Sequence, residues 1–222
     1  MILALTNSKG GVGKSTIAVH LTLWLEERGH RVALVDADVQ GSSSTWLKEA
    51  SPTTALVRLA TPDDVLEQVP RIASEFDYVV IDGPAGLSEL TRTILFVADI
   101  TFLPCGPSVL DLRAANDAIR IVRQAQAIRK GSPVAVLVPN KLQIKYRLSQ
   151  ELLATAKSLE IPASSGLRLR QAYADAVGQG TVVWRMGPRA QDAATEITQL
   201  FEELLKYEPG YEAPNERRVE NG

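Results

Sequence analysis

The sequence is poor in the residues that carry metal and redox chemistry. Among 222 residues there is one cysteine, Cys105, and two histidines, His20 and His30. A lone cysteine cannot close an internal disulfide and suits a reducing compartment. With two histidines beside it, it supplies neither a Cys/His zinc site nor the ligands of an iron–sulfur cluster. Long hydrophobic runs are missing too. Stretches such as Val79–Ile81 and Val134–Val138 fall far short of the roughly 20 residues that a membrane span needs. Met1–Asn7 has no basic flank and no small-residue cleavage site, so it does not read as a secretory signal. What remains is ordinary. Hydrophobic residues make up 45% and charged residues 23%, which excludes a mostly disordered chain. The length is enough to bury a core without metals or disulfides.

The formal charge of −2 hides a pattern. Residues 1–110 hold 8 Lys/Arg against 13 Asp/Glu, and residues 192–222 hold 3 against 8. Between them, residues 111–191 hold 13 Lys/Arg against 5 Asp/Glu, a net of +8. Such a block can present one positive face to a polyanion, or it can be a set of solvated helix faces.

Short apolar runs alternate with amphipathic stretches of helical length, which predicts βα units around a mainly parallel sheet. Strands are expected at Ile2–Thr6, Arg31–Val35, Ala55–Leu59, Asp77–Ile81, Ile100–Pro104 and Pro133–Val138. Their nearly continuous apolar character suits a sheet with helices on both faces. Helices are expected at 14–28, 62–75, 88–97, 109–130, 146–159 and 190–206. Gly29 stands where the first should stop, and Pro62-Asp63-Asp64 opens the second. No repeat or low-complexity linker divides the chain. Residues 1–207 therefore read as one domain, and 208–222, polar and acidic with Pro209, Gly210 and Pro214, as a loose tail.

Directly after the first strand stands Ser8-Lys9-Gly10-Gly11-Val12-Gly13-Lys14-Ser15-Thr16. Glycines let a backbone wrap a phosphate, and the helix that follows points unpaired N–H groups at the negative charge. Lys14 can reach the β- and γ-phosphates, and the Ser15 hydroxyl can ligate Mg²⁺. Ser8 stands where the general phosphate-loop pattern has glycine. A dinucleotide fingerprint is the rival reading of Gly11-x-Gly13, with Asp36 after the second strand. It fails at Thr16, where a third glycine belongs, and has no use for Lys14-Ser15.

Lys9 ahead of the paired glycines completes KGGxGK[ST], and here the chain resembles the deviant Walker A box of the ParA/Soj/MinD ATPases. Asp36-Ala37-Asp38-Val39-Gln40-Gly41 is similar to the family's DxDPQG segment, with Val39 in place of proline. Phe76–Pro84 is similar to its Walker B strand, ending in the carboxylate of Asp82. Pro104–Asp111 resembles its proline-bearing segment. In length and spacing the chain is closest to small ParF-like plasmid-partition members, which also lack an N-terminal helix-turn-helix domain.

The resemblance implies an α/β P-loop NTPase of the deviant Walker type that hydrolyses ATP with Mg²⁺. Gly10, Gly11, Val12, Gly13, Lys14, Ser15 and Thr16 would bind the nucleotide. Lys9 would cross a homodimer interface to the partner's nucleotide, and Asp38 would orient the attacking water. Mg²⁺ would be held by Ser15 and, through water, by Asp82 and Asp36. Both aspartates also fit strand-end carboxylates that cap the next turn. Asn140 suits a turn as well as it suits a reader of the adenine edge. Arg170 matches a position implicated in DNA binding, with Arg168 and Arg189 in the same basic block as Lys141, Lys145, Arg147 and Arg185. Phosphate contacts from such residues would bind nonspecific DNA without reading its sequence. Cys105, His20, Trp24 and Trp46 read as packing residues.

The implied activity is a cytoplasmic, nucleoid-associated switch in a bacterium or archaeon. ATP closes the dimer on DNA, and a centromere-binding or cargo adaptor stimulates hydrolysis and releases it. Plasmid segregation is the leading expectation, and positioning of a protein assembly or organelle by the same cycle is the alternative. A MinD-like membrane role would need a basic amphipathic C-terminal helix. Phe201–Pro209 is acidic and then broken by proline, so no membrane partner is expected. A cluster-bearing relative such as the nitrogenase iron protein would need two cysteines per subunit.

Overall fold

In the computed structural model, residues 1–208 are described apart from 144, 157, 158 and 160, so the expected tail beyond Glu208 lies outside the described residues. The strands are β1 (Ile2–Asn7), β2 (Val32–Asp36), β3 (Ala55–Arg58), β4 (Tyr78–Ala85), β5 (Ile100–Cys105) and β6 (Val134–Pro139). They form one parallel sheet in the order β3-β2-β4-β1-β5-β6. From β1 the chain leaves to one side for β2 and β3. It then returns to β4 and crosses over to β5 and β6. Such a reversal of direction leaves a crevice at the carboxyl ends of the strands, the usual ligand position in open α/β sheets.

The helices are α1 (Lys14–Glu26), α2 (Ser42–Ala50), α3 (Pro62–Glu75), α4 (Glu89–Val97), α5 (Val109–Ile128), α6 (Arg147–Ala156), α7 (Gln171–Gly178) and α8 (Gln191–Leu205). Alternation along β1 shows how they cover the sheet. Leu3 and Leu5 pack with Ile17 and Leu21 of α1 and with Ile197 and Phe201 of α8. Ile2 and Ala4 face the other way, toward Val65 and Val69 of α3 and Ile94 of α4. Leu103 and Leu137 bury Ala118 of α5 and Leu152 of α6. Both faces are dry, which is why the strands read as unbroken apolar runs. Among the described residues no helix is long and apolar enough to cross a membrane.

Strand positions follow the expectation closely, and helix ends shift by a few residues. α1 stops at Glu26, and the chain turns through Gly29, whose left-handed φ of 86° is one that glycine takes without strain. Two helices were not anticipated. In α2, Ser42-Ser43-Ser44 compete for backbone hydrogen bonds and read as a turn. A distant group supplies the cap instead, because Asp36 Oδ2 accepts from the Ser44 backbone N at 2.9 Å and from its hydroxyl. α7 has eight residues and only Ala176 fully buried, too short a stretch for the helical period to show.

His20 joins several of these elements. Its Nδ1 donates to Thr16 O at 2.8 Å, and its Nε2 accepts from Val183 N at 3.3 Å. The rings of Trp46, Tyr173 and Trp184 stand edge-on to it at 5.2, 5.9 and 5.4 Å. Complete burial pushes its pKa down to about 4, so the folded protein holds the imidazole neutral. The unfolded chain takes up this proton near pH 6.5, so stability is lost as pH falls from there toward 4. His20→Asn should be less stable than wild type at neutral pH. The gap should narrow by about 3 kcal/mol on acidification to about pH 4, as measured by urea unfolding.

Candidate functional site

The loop between β1 and α1 is built around two left-handed glycines. Gly11 has φ 72°, and Gly13, at the N-cap of α1, has φ 103°. A Cβ on Gly13 would stand 2.2 Å from Asn140 Nδ2, so both conformation and space demand glycine there. Neighbouring strands and helices hold the loop. Asn7 Nδ2 donates to Pro104 O at 2.6 Å, Lys9 N to Asn7 Oδ1 at 3.0 Å, and Ser8 Oγ to Ala114 O at 3.0 Å. From the end of β6, Asn140 Nδ2 donates to Val12 O and Lys141 Nζ to Gly11 O, each at 2.7 Å.

This loop lines a cavity of about 410 Å³ with Lys14, Ser15, Thr16, Asp38 and Lys141 on its wall. A second cavity of about 260 Å³ adjoins it, walled by Leu167, Leu169, Tyr173 and Val177. A charged cradle beside an apolar slot matches the two ends of a nucleotide.

Charge in the cradle is balanced from below. Lys14 is 6% exposed, and its Nζ donates to Lys9 O at 3.3 Å. Burial lowers its pKa, while Asp82 and Asp38 pull the other way. Asp82 lies wholly buried at the side of β1, and neither of its carboxylate oxygens has a hydrogen-bond partner. Desolvation pushes its pKa up to about 6, with Asp36 adding to the rise. The Ser15 and Ser43 hydroxyls lie near enough to pull it back, though neither makes a well-formed hydrogen bond. Two unpartnered buried oxygens beside Ser15 are what a hydrated Mg²⁺ ion would need. Among the described residues no group of three or more His, Cys, Asp or Glu could hold a metal, so an ion here would rely on nucleotide oxygens and water.

The other expected residues are placed unevenly. Asp36 is 1% exposed. Its Oδ1 accepts from Asp38 N at 3.1 Å and its Oδ2 caps α2, so its lone pairs already serve the fold. Asp38 lines the cradle, with Oδ1 accepting from Gln40 N at 3.0 Å. Lys9 pairs with Asp111 of its own chain at 2.7 Å. Asn140 turns its amide to the loop backbone, while its Oδ1 accepts from Lys141 N at 2.8 Å.

Arg168 and Arg170 sit at the rim of the apolar slot and are largely neutralised by α8. Arg170 meets Asp192 and Glu196 at 3.0 Å each, and Arg168 lies 3.9 Å from Glu196. Arg189 is exposed on the turn before α8. Arg185 pairs with Glu27, and Arg147 with Glu151.

Two residues of the site were not singled out as such by the sequence. Asp111 could have been found, since Ser108-Val109-Leu110-Asp111 has the spacing of a capping box, and Ser108 does accept from Asp111 N at 3.0 Å. Lys141 carried no signal beyond its charge.

The sequence profile of the CobQ/CobB/MinD/ParA nucleotide binding domain matches residues 3–183. The Maintenance of carboxysome distribution protein A of Halothiobacillus neapolitanus is 33% identical over 211 residues, covering 91% of this chain and 95% of that one. The chromosome-partitioning ATPase Soj of Thermus thermophilus is 34% identical over 155 residues, covering 56% of this chain and 62% of that one. Among solved structures, the McdA–ATP complex from Cyanothece superposes with a TM-score of 0.76 at 15% identity, covering 95% of this chain and 98% of that one. The chain belongs to the CobQ/CobB/MinD/ParA nucleotide-binding family.

A carboxylate in the position of Asp82 helps a cation only when ionised, which it becomes as pH rises through about 6. The gain in ATP affinity on adding Mg²⁺ should therefore be larger at about pH 7.5 than at about pH 5.5. Asp82→Asn should reduce that difference in titration calorimetry, leaving only the part due to ATP's own terminal phosphate. An unchanged Mg²⁺ effect in the variant would remove Asp82 from the ion's surroundings.

Proposed function

We propose that this member of the family is an Mg²⁺-dependent ATPase that positions a protein assembly, of the carboxysome kind, by an ATP-gated dimerisation cycle on DNA. The observation that carries the reading is the arrangement of lysines around one cradle. Lys14 lines it, at the start of α1, and Lys9, next in sequence to the lining residue Gly10, is half-exposed on Asp111. ATP would bind with its phosphates on the loop and Lys14, and its base in the slot of Leu167, Leu169, Tyr173 and Val177. Mg²⁺, held by Ser15 with Asp82 beneath it, would offset the charge of the outer phosphates. Asp38, on the wall facing them, would hold the attacking water. Phosphoryl transfer is mostly positioning and charge stabilisation, so this set is chemically sufficient.

Dimerisation has support in the surface around the cradle. Val39, beside Asp38, is 77% exposed, and Val109 and Leu110, beside Asp111, are 55% and 64% exposed. Apolar side chains at a cradle's rim favour burial against a second subunit. Lys9 would then exchange Asp111 for the phosphates of the partner's nucleotide.

The cargo reading rests on coverage. The carboxysome-distribution relative aligns along nearly the whole chain, whereas the Soj relative, at similar identity, aligns along little more than half. DNA would serve as the track, bound through charge alone. Arg168 and Arg170 would have to leave Glu196 and Asp192 to take part, and Arg189 would not. The adaptor that stimulates hydrolysis would carry the cargo specificity.

Binding to a long DNA of arbitrary sequence should require ATP rather than ADP. It should weaken steeply with salt, by a slope of about −0.9 per phosphate contacted, and be lost in Lys9→Ala. Deleting the gene in its host should leave protein assemblies clumped while plasmid and chromosome inheritance stay normal. Normal spacing of assemblies with plasmid loss would overturn the cargo assignment and favour partition.

A further inference from the structure

Among the described lysines of the basic block, Lys141 is set apart by its contact with the phosphate loop, since Lys130 shares its left-handed backbone. Lys141 follows Asn140 at the carboxyl end of β6 and adopts φ 57°, a left-handed backbone that lysine seldom takes. From there its ammonium donates to Gly11 O at 2.7 Å, inside the phosphate loop. Lys141 walls both cavities. Gly13, Thr16 and Val177 share that position, so among the described residues Lys141 is the one charged side chain common to the cradle and the apolar slot.

We infer that Lys141 is a nucleotide-contacting residue, serving the stretch between base and outer phosphates: the ribose and the α-phosphate. The inference rests on the reading that this pocket takes ATP. A neutral carbonyl is a weaker partner for an ammonium than a phosphate oxygen is, because an ion pair adds charge to the hydrogen bond. Gly11 O therefore holds Lys141 in place until a phosphate arrives close by. The side chain is exposed, so moving its charge costs little desolvation. Its methylene stem would close the wall between the two cavities and cover the edge of the base. This role takes Lys141 out of the expected DNA-binding patch, since its ammonium is turned into the nucleotide loop.

The position makes a specific statement about ligands. An α-phosphate is common to ATP and ADP, so Lys141 contributes equally to both, unlike a group that meets only the γ-phosphate. Lys141→Met keeps the stem and removes the charge, and Lys141→Arg keeps the charge. Affinities for ATP and ADP would be measured by titration calorimetry at two salt concentrations, beside thermal unfolding without nucleotide. Lys141→Met should weaken both nucleotides by the same factor, about 10-fold. It should also make affinity less sensitive to salt and leave unliganded unfolding unchanged, and Lys141→Arg should restore most of the loss. If wild type binds neither nucleotide, the ATP reading falls and this inference with it. If wild type binds and Lys141→Met binds equally well, only this inference is overturned. A loss confined to ATP overturns it too. So does a loss with unchanged salt dependence and lower unliganded stability, which would leave Lys141 a brace of the loop.

Discussion

Positive charge gathered around a single loop is the constraint on which the rest of this molecule depends. Lys9 and Lys14 belong to that loop, and Lys141 donates to it from the end of β6. Each is settled on an oxygen of the protein: Asp111 for Lys9, the Lys9 carbonyl for Lys14, and the Gly11 carbonyl for Lys141. These acceptors draw in other elements. Asp111 is held by Ser108 at the head of α5, and Asn7 ties the loop's base to β5. The loop is thus clamped from β5, α5 and β6 at once, and α1 begins from a fixed platform.

Beneath that platform lies an opposite charge with no hydrogen-bond partner. Asp82 ends up dry because β4 lies between β1 and β2, with helices over both faces of the sheet. A carboxylate left in this condition is costly to ionise, and its pKa rises accordingly. Asp36, at the same register one strand away, has its oxygens bonded to the cap of α2 and to Asp38 N. Two aspartates that look alike in the sequence therefore differ in kind. One has its oxygens bonded within the fold, and the other is buried with neither oxygen in a hydrogen bond.

The basic middle block shows how far charge counts along a sequence can diverge from charge in space. Residues 111–191 carry a net of +8, yet the acidic side chains of α8 fold back onto part of it. Glu196 serves both Arg168 and Arg170, and Asp192 adds a second partner to Arg170. The positive face inferred from the block is to that extent an internal ion-pair network, and any polyanion would compete with carboxylates for those arginines.

The phosphate loop, the parallel sheet and the family were legible in the sequence because they rest on local chemistry. Glycines at Gly11 and Gly13 are needed for backbone angles, Lys14 and Ser15 complete the phosphate-loop pattern, and unbroken apolar runs mark strands buried on both faces. What the sequence could not show are pairings between residues far apart in the chain. Asn140 and Lys141 were drawn to the loop because β6 ends beside it, 128 and 130 residues from the carbonyls they hold. Lys9 found Asp111 across the top of β5. Motifs report what a residue type can do where it stands. Only the folded sheet decides which other residues stand beside it, because hydrogen bonds and ion pairs act over a few ångströms and not along the chain.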